Sequence, residues 1–219
     1  MSLSILLNAF CADFVLSTRT MLRFVHFVGL ALGLGGATVL DLMLVRFFIS
    51  DRITPEKWIV FRFVSTLVNI GLMLLWLTGL GFLLHYVFFD PIKLTNDKIW
   101  AKLAIVWVLS VNGLFIHAVV LPRIEQQIGR PLFSSMGKWQ RRVFLASGAV
   151  SAVSWYVPVA LGALVQFNFT VPASAILSVY AMVLGLAVVA VNLIVHAFPV
   201  MSSRWRAWRS SLQRRFGLA

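Results

Sequence analysis

Five long apolar runs, broken by short polar segments, dominate the chain. They cover about 21–49, 58–89, 100–121, 143–167 and 173–200. Ser50-Asp51-Arg52 with Pro55 closes the first, Asp90-Pro91 the second and Pro122-Arg123 the third. A helix needs about 20 mostly apolar residues to cross the hydrocarbon core. The pattern therefore predicts an all-α, polytopic transmembrane bundle of about five spans. Several runs exceed that minimum, which predicts tilt or extension beyond the lipid. Pro158 inside the fourth run predicts a kink. The first 18 residues are mildly apolar but lack a basic leader and a clear cleavage site, and they read as a short helix on the outer surface.

Charge gives the pattern a direction. The first connection holds Arg46, Arg52, Lys57 and Arg62, and the third holds Arg123, Arg130, Lys138, Arg141 and Arg142. The tail 201–219 carries Arg204, Arg206, Arg209, Arg214 and Arg215. The second connection nearly balances Lys93 and Lys98 against Asp90 and Asp97, and 168–172 carries no charge. Lysine and arginine accumulate on the cytoplasmic side. Hence the C-terminus is expected inside and, with an odd number of spans, the N-terminus outside. Arg19 and Arg23 depart from the rule.

Composition narrows the class further. The 219 residues are 60% hydrophobic and 12% charged, about half the charged fraction of an average soluble domain. No loop is long enough for a separate catalytic domain, so 1–219 reads as one membrane domain. The net charge of +12 flanks the spans and fills the tail. That placement suits anionic headgroups rather than nucleic acid. Cys11 is the single cysteine, which excludes an intrachain disulfide and a thiolate metal cluster.

The candidate chemistry lies in four histidines. By depth, His26 and His85 fall in the outer half of spans one and two. His117 and His196 fall in the inner half of spans three and five. The helical rise separates the two levels by roughly 15 Å. Paired neutral imidazoles from neighbouring helices suit axial ligation of haem b, so two bis-His haems are expected, one per leaflet. A porphyrin needs a small helix face beside its ligand, and positions three or four residues away share that face. Gly29 stands there for His26, Gly81 for His85, Gly113 for His117 and Asn192 for His196. Other readings of the same residues are headgroup contact for the histidines and helix packing for the glycines.

The remaining polar positions point to structure. Asp41 and Arg62 lie at similar depth and suggest an ion pair, with a proton relay as the alternative for Asp41. Asn69 and Asn112 suggest interhelical hydrogen bonds. Trp155-Tyr156 beside Pro158 suggests aromatic packing or the flank of a cofactor or quinone. Asn168-Phe169-Thr170 matches a glycosylation acceptor, which has meaning only in a secretory pathway.

His26 within His-Phe-Val-Gly-Leu-Ala-Leu-Gly-Leu-Gly-Gly resembles the first helix of CopD-type membrane proteins. Phe63 with Thr78-Gly79-Leu80 is similar to that family's second helix, and Lys102-Leu103-Ala104 to the start of the next. The likeness spans about 21–118. It implies a bacterial inner-membrane protein of the copper-uptake type, or a relative of the di-haem cytochromes b and the bacterial membrane protoporphyrinogen oxidase. Met43, Met73 and Met182 are scattered, unlike the clustered soft ligands of a Cu(I) path. The expectation is thus a cytochrome b-like electron-transfer protein, possessing or serving oxidoreductase activity, with a quinone or redox protein as partner. Copper transport and a structural or assembly subunit are the alternatives.

Overall fold

The computed structural model describes the backbone at 13–49, 53–129 and 136–216, and side chains at 13–47, 53–129 and 136–194. Five helices are long and apolar enough to cross a membrane. They are α1 (Phe14–Ile49), α2 (Pro55–Phe89), α3 (Asp97–Glu125), α4 (Lys138–Ala163) and α5 (Ala173–Phe216). The chain is an all-α membrane bundle, as the apolar runs predict. Residues 14–18 belong to α1 rather than to a separate surface helix, and α5 continues beyond 200 into the basic tail. Residues 1–12, with Cys11, lie outside the described part.

Local sequence explains the helix ends. Thr54 caps α2 by accepting from Lys57 N at 3.4 Å, and Pro55 follows where its missing N–H costs nothing. Asn96 caps α3 through Lys98 N at 3.2 Å. The same Asn96 Oδ1 accepts from Phe169 N, and Lys98 Nζ donates to Leu164 O at 2.9 Å. These bonds tie the α4–α5 link to the start of α3. At the opposite end, Ile53 and Ile128 form an isolated parallel bridge, with Gly129 N donating to Ile53 O at 2.8 Å. The two ends are called here the Asp90 end and the Arg123 end.

The helices pack through small residues and interhelical hydrogen bonds, because lipid supplies no hydrophobic drive between spans. Gly29 and Gly33 of α1 lie against Gly71 of α2. A Cβ on Gly71 would fall 2.3 Å from Gly33 N and 2.7 Å from Gly29 O. Both expected asparagine bonds form. Asn69 Nδ2 is 2.7 Å from His117 Nε2, and Asn112 exchanges bonds with Ser147 O and Ser147 Oγ at 3.0 and 3.1 Å. Asn112→Leu is expected to lower stability by about 1 kcal/mol, the usual scale of such bonds, seen as a lower unfolding midpoint in detergent. Phe47, Ile53, Trp58, Phe61, Val120, Leu121, Ile124 and Phe144 close the Arg123 end as one apolar cluster.

Candidate functional site: two stacked cavities

Among the described residues, two cavities lie one above the other between the helices. The larger, about 520 Å³, lies toward the Asp90 end between α1, α2, α3 and α4. That volume is in the range of sites for small molecules and cofactors. Its polar lining includes His26, Trp76, Tyr86, Lys102 and Ser154. Gly79 and Gly162 also line it, and a Cβ on either would meet nothing within 4 Å. The smaller cavity, about 80 Å³, lies toward the Arg123 end and is lined by Asp41, Asn69, Gly113 and His117 among others. It has room for two or three waters. Leu72, Leu109 and Trp155 line both cavities and form the wall between them. Trp155 is held there by Gly33, whose added Cβ would lie 2.4 Å from the indole.

His26 is the best defined group in the larger cavity. Its Nδ1 lies 2.8 Å from Thr78 Oγ1. Thr78 spends its hydroxyl hydrogen on Leu74 O at 2.7 Å, so its oxygen accepts from Nδ1–H. Nδ1 therefore carries a hydrogen, and in the neutral ring this leaves the Nε2 lone pair for another partner. Phe82 packs edge-on at 5.7 Å and fixes the ring plane. Such an anchor on the far nitrogen is how ligating histidines are commonly oriented.

Lys102 brings the charge. No Asp or Glu lines this cavity, and among the described residues the one ion pair joins Lys93 to Asp90. A cation inside an apolar bundle, without a carboxylate beside it, marks a functional position by default.

The other sequence candidates are distributed differently. His85 is buried and packs against Tyr86 and Phe89, with ring centroids 6.2 and 5.0 Å away. Its Nδ1 has no hydrogen-bond partner, and it lines neither cavity. His26 stands level with Thr78, so His85 lies seven residues further along α2, about 10 Å at the helical rise. The structure does not bring His26 and His85 to one level, because the Gly29–Gly33–Gly71 contact sets the register of α1 on α2. His117 sits in a π-helical turn, Ile116–Val120, and lines the smaller cavity. Its Nε2 lone pair accepts from Asn69 Nδ2. The space beside His117, about 80 Å³, is much smaller than the cavity beside His26. The side chain of His196 lies outside the described residues.

The small positions divide likewise. Gly29 and Gly81 serve helix packing, against Leu74 and Gly71 and against Leu22 respectively. Gly113 lines the smaller cavity with open space beside it. Asn192 Nδ2 donates to Val188 O at 2.8 Å. Asp41 and Arg62 form no ion pair: Arg62 is exposed, and Asp41 lines the smaller cavity. Met43, Met73 and Met182 line neither cavity, and Met73 and Met182 are exposed on the outside of the bundle. Among the described residues, no three His, Cys, Asp or Glu side chains come together as a metal site.

Comparison with protein-family models, with curated proteins and with solved structures finds no counterpart for this chain. Its function is therefore argued from the cavities. Residue-by-residue reading missed Thr78, Gly79 and Lys102 as parts of a site. A signal was present: lysine is rare within an apolar run, and Thr78 and His85, seven apart, share a helix face.

Proposed function

We propose that this chain is a membrane cytochrome b-like protein that holds one haem-type cofactor in the larger cavity, with His26 as its histidine ligand. The observation that carries the reading is the placement of His26: Nδ1 anchored on Thr78, and the ring in the wall of a cavity of about 520 Å³ with Nε2 outside that bond. The residues fit such a group. Trp76, Phe82, Tyr86 and Trp155 offer apolar faces, Gly79 and Gly162 leave width, and Lys102 offers a cation to a propionate. Of the residues that carry the CopD-type resemblance, His26, Gly79, Lys102 and Leu103 line this cavity, whereas Gly35, Gly36, Phe63, Leu80 and Ala104 do not. Copper transport finds less support, since the methionines lie elsewhere.

When bound, haem supplies reversible one-electron chemistry, and the protein supplies ligation, orientation and a dry surround. Electron exchange with a quinone or redox protein is the function inferred. The CopD-type resemblance implies a bacterial cytoplasmic membrane, and the basic connections and tail support an orientation with the Arg123 end and C-terminus inside.

The test is the visible spectrum of the full chain, purified from cells supplied with haem. A reduced α-band of b type, at one haem per chain, is expected. Its absence, with a folded protein in hand, overturns the proposal. Lys102→Gln is expected to weaken haem retention about tenfold, since a hydrogen bond to a charged group contributes about 1.5 kcal/mol or more.

A further inference from the structure

The smaller cavity has a chemistry that a haem in the larger one does not use. Among the described residues Asp41 is the acidic residue farthest from any helix end: Asp13, Glu56, Asp90, Asp97 and Glu125 all lie in links or at helix termini. No ion pair holds it, and no hydrogen bond from the protein reaches its carboxyl among the described residues. What it has instead is a small space, mostly apolar in its lining, into which a few polar side chains reach. Asn69 and Ser65 reach that space from α2, His117 from α3, and Ser147 and Ser151 from α4. Of these lining groups only Asp41 and His117 titrate, and Arg62, the charged residue of α2 nearest in level, is exposed.

We propose that the smaller cavity is a hydrated proton-binding site, in which Asp41 takes up and releases the proton through water beside the His117–Asn69 pair. The step is a simple protonation: a proton from water adds to the carboxylate oxygen, and the acid returns it to water. Water in a space of this size needs polar partners, and Asp41 with the neighbouring Ser65 and Ser151 hydroxyls offers them. The geometry also gives the site a direction. Phe61, Val120 and Phe144 floor it and belong to the apolar cluster that closes the Arg123 end. Toward the larger cavity stands a single layer, Leu72, Leu109 and Trp155. The thinner barrier thus lies toward the larger cavity, and Trp155 is the side chain that would have to move for protons to pass that way. The inference does not depend on what the larger cavity holds.

Infrared spectroscopy of the full chain in lipid nanodiscs tests it. On acidification, a C=O band of a protonated carboxyl is expected that shifts in D2O and is missing from Asp41→Asn. Asp41→Glu restores a band at a changed position, which separates loss of the group from loss of the fold. Asn69→Leu is expected to move the midpoint of the band, and Trp155→Phe to speed its exchange in D2O. A band unchanged in Asp41→Asn overturns the proposal, as does an Asp41 carboxylate that stays ionised at every pH tested. A midpoint that follows sodium concentration rather than pH also overturns it, making the cavity a cation site. These readouts need no haem, so the result is independent of the visible spectrum.

Discussion

His26→Ala is expected to abolish the reduced α-band of the haem-supplied protein, whereas His85→Ala and His117→Ala each leave it in place. The difference follows from what each ring already does. The His26 ring lines a cofactor-sized cavity, and in its neutral form the Nε2 lone pair is left for another partner. His117 spends the same lone pair on Asn69 beside a cavity of about 80 Å³. His85 is packed between aromatic rings outside both cavities. Thr78→Val sharpens the test, because valine keeps the shape and removes the acceptor for Nδ1–H. Loss of such an outer partner commonly weakens metal binding about 10–100-fold. Haem retention in Thr78→Val, measured by dilution or competition with an apo-globin, is expected in that range. An α-band that survives His26→Ala in a folded protein excludes His26 as the ligand.

Much of this bundle was legible in the sequence, and the reason is physical. Lipid demands about 20 apolar residues per crossing, so Asp90-Pro91 and Pro122-Arg123 mark span ends without any tertiary knowledge. Interhelical hydrogen bonds were also legible, since amides such as Asn69 and Asn112 must find partners away from water. Depth along a helix was a poorer guide to which side chains meet. His26 and His85 are each near the same end of their own helix, yet they differ in level because three glycines fix how α1 slides on α2. Hydropathy carries no information on that slide. Nor does it show the π-helical turn that places His117 beside Asn69. Asp41 and Arg62 illustrate the same limit: similar depth did not make them partners, because they leave their helices on different faces.

Gly71→Ala is expected to be among the most damaging single-atom changes in the chain, lowering stability by about 3 kcal/mol, the upper end for overpacking. The added carbon would meet Gly33 N at 2.3 Å, Gly33 Cα at 2.6 Å and Gly29 O at 2.7 Å. All three are backbone atoms of a regular helix, so no side chain can turn aside and α1 must move as a whole. Gly35→Ala is the control. Its Cβ would meet nothing within 4 Å, and alanine is the better helix former, by up to about 1 kcal/mol in water. The same substitution about half a turn apart in level should therefore have opposite signs, read as unfolding midpoints in one detergent. A second consequence separates packing from general instability. The contact at Gly71 sets the register that brings His26 to Thr78. Gly71→Ala should thus lose haem even at temperatures where the variant stays folded, although residue 71 itself does not line the larger cavity. A Gly71→Ala protein that keeps both its unfolding midpoint and its α-band would mean that α1 and α2 are not locked as described.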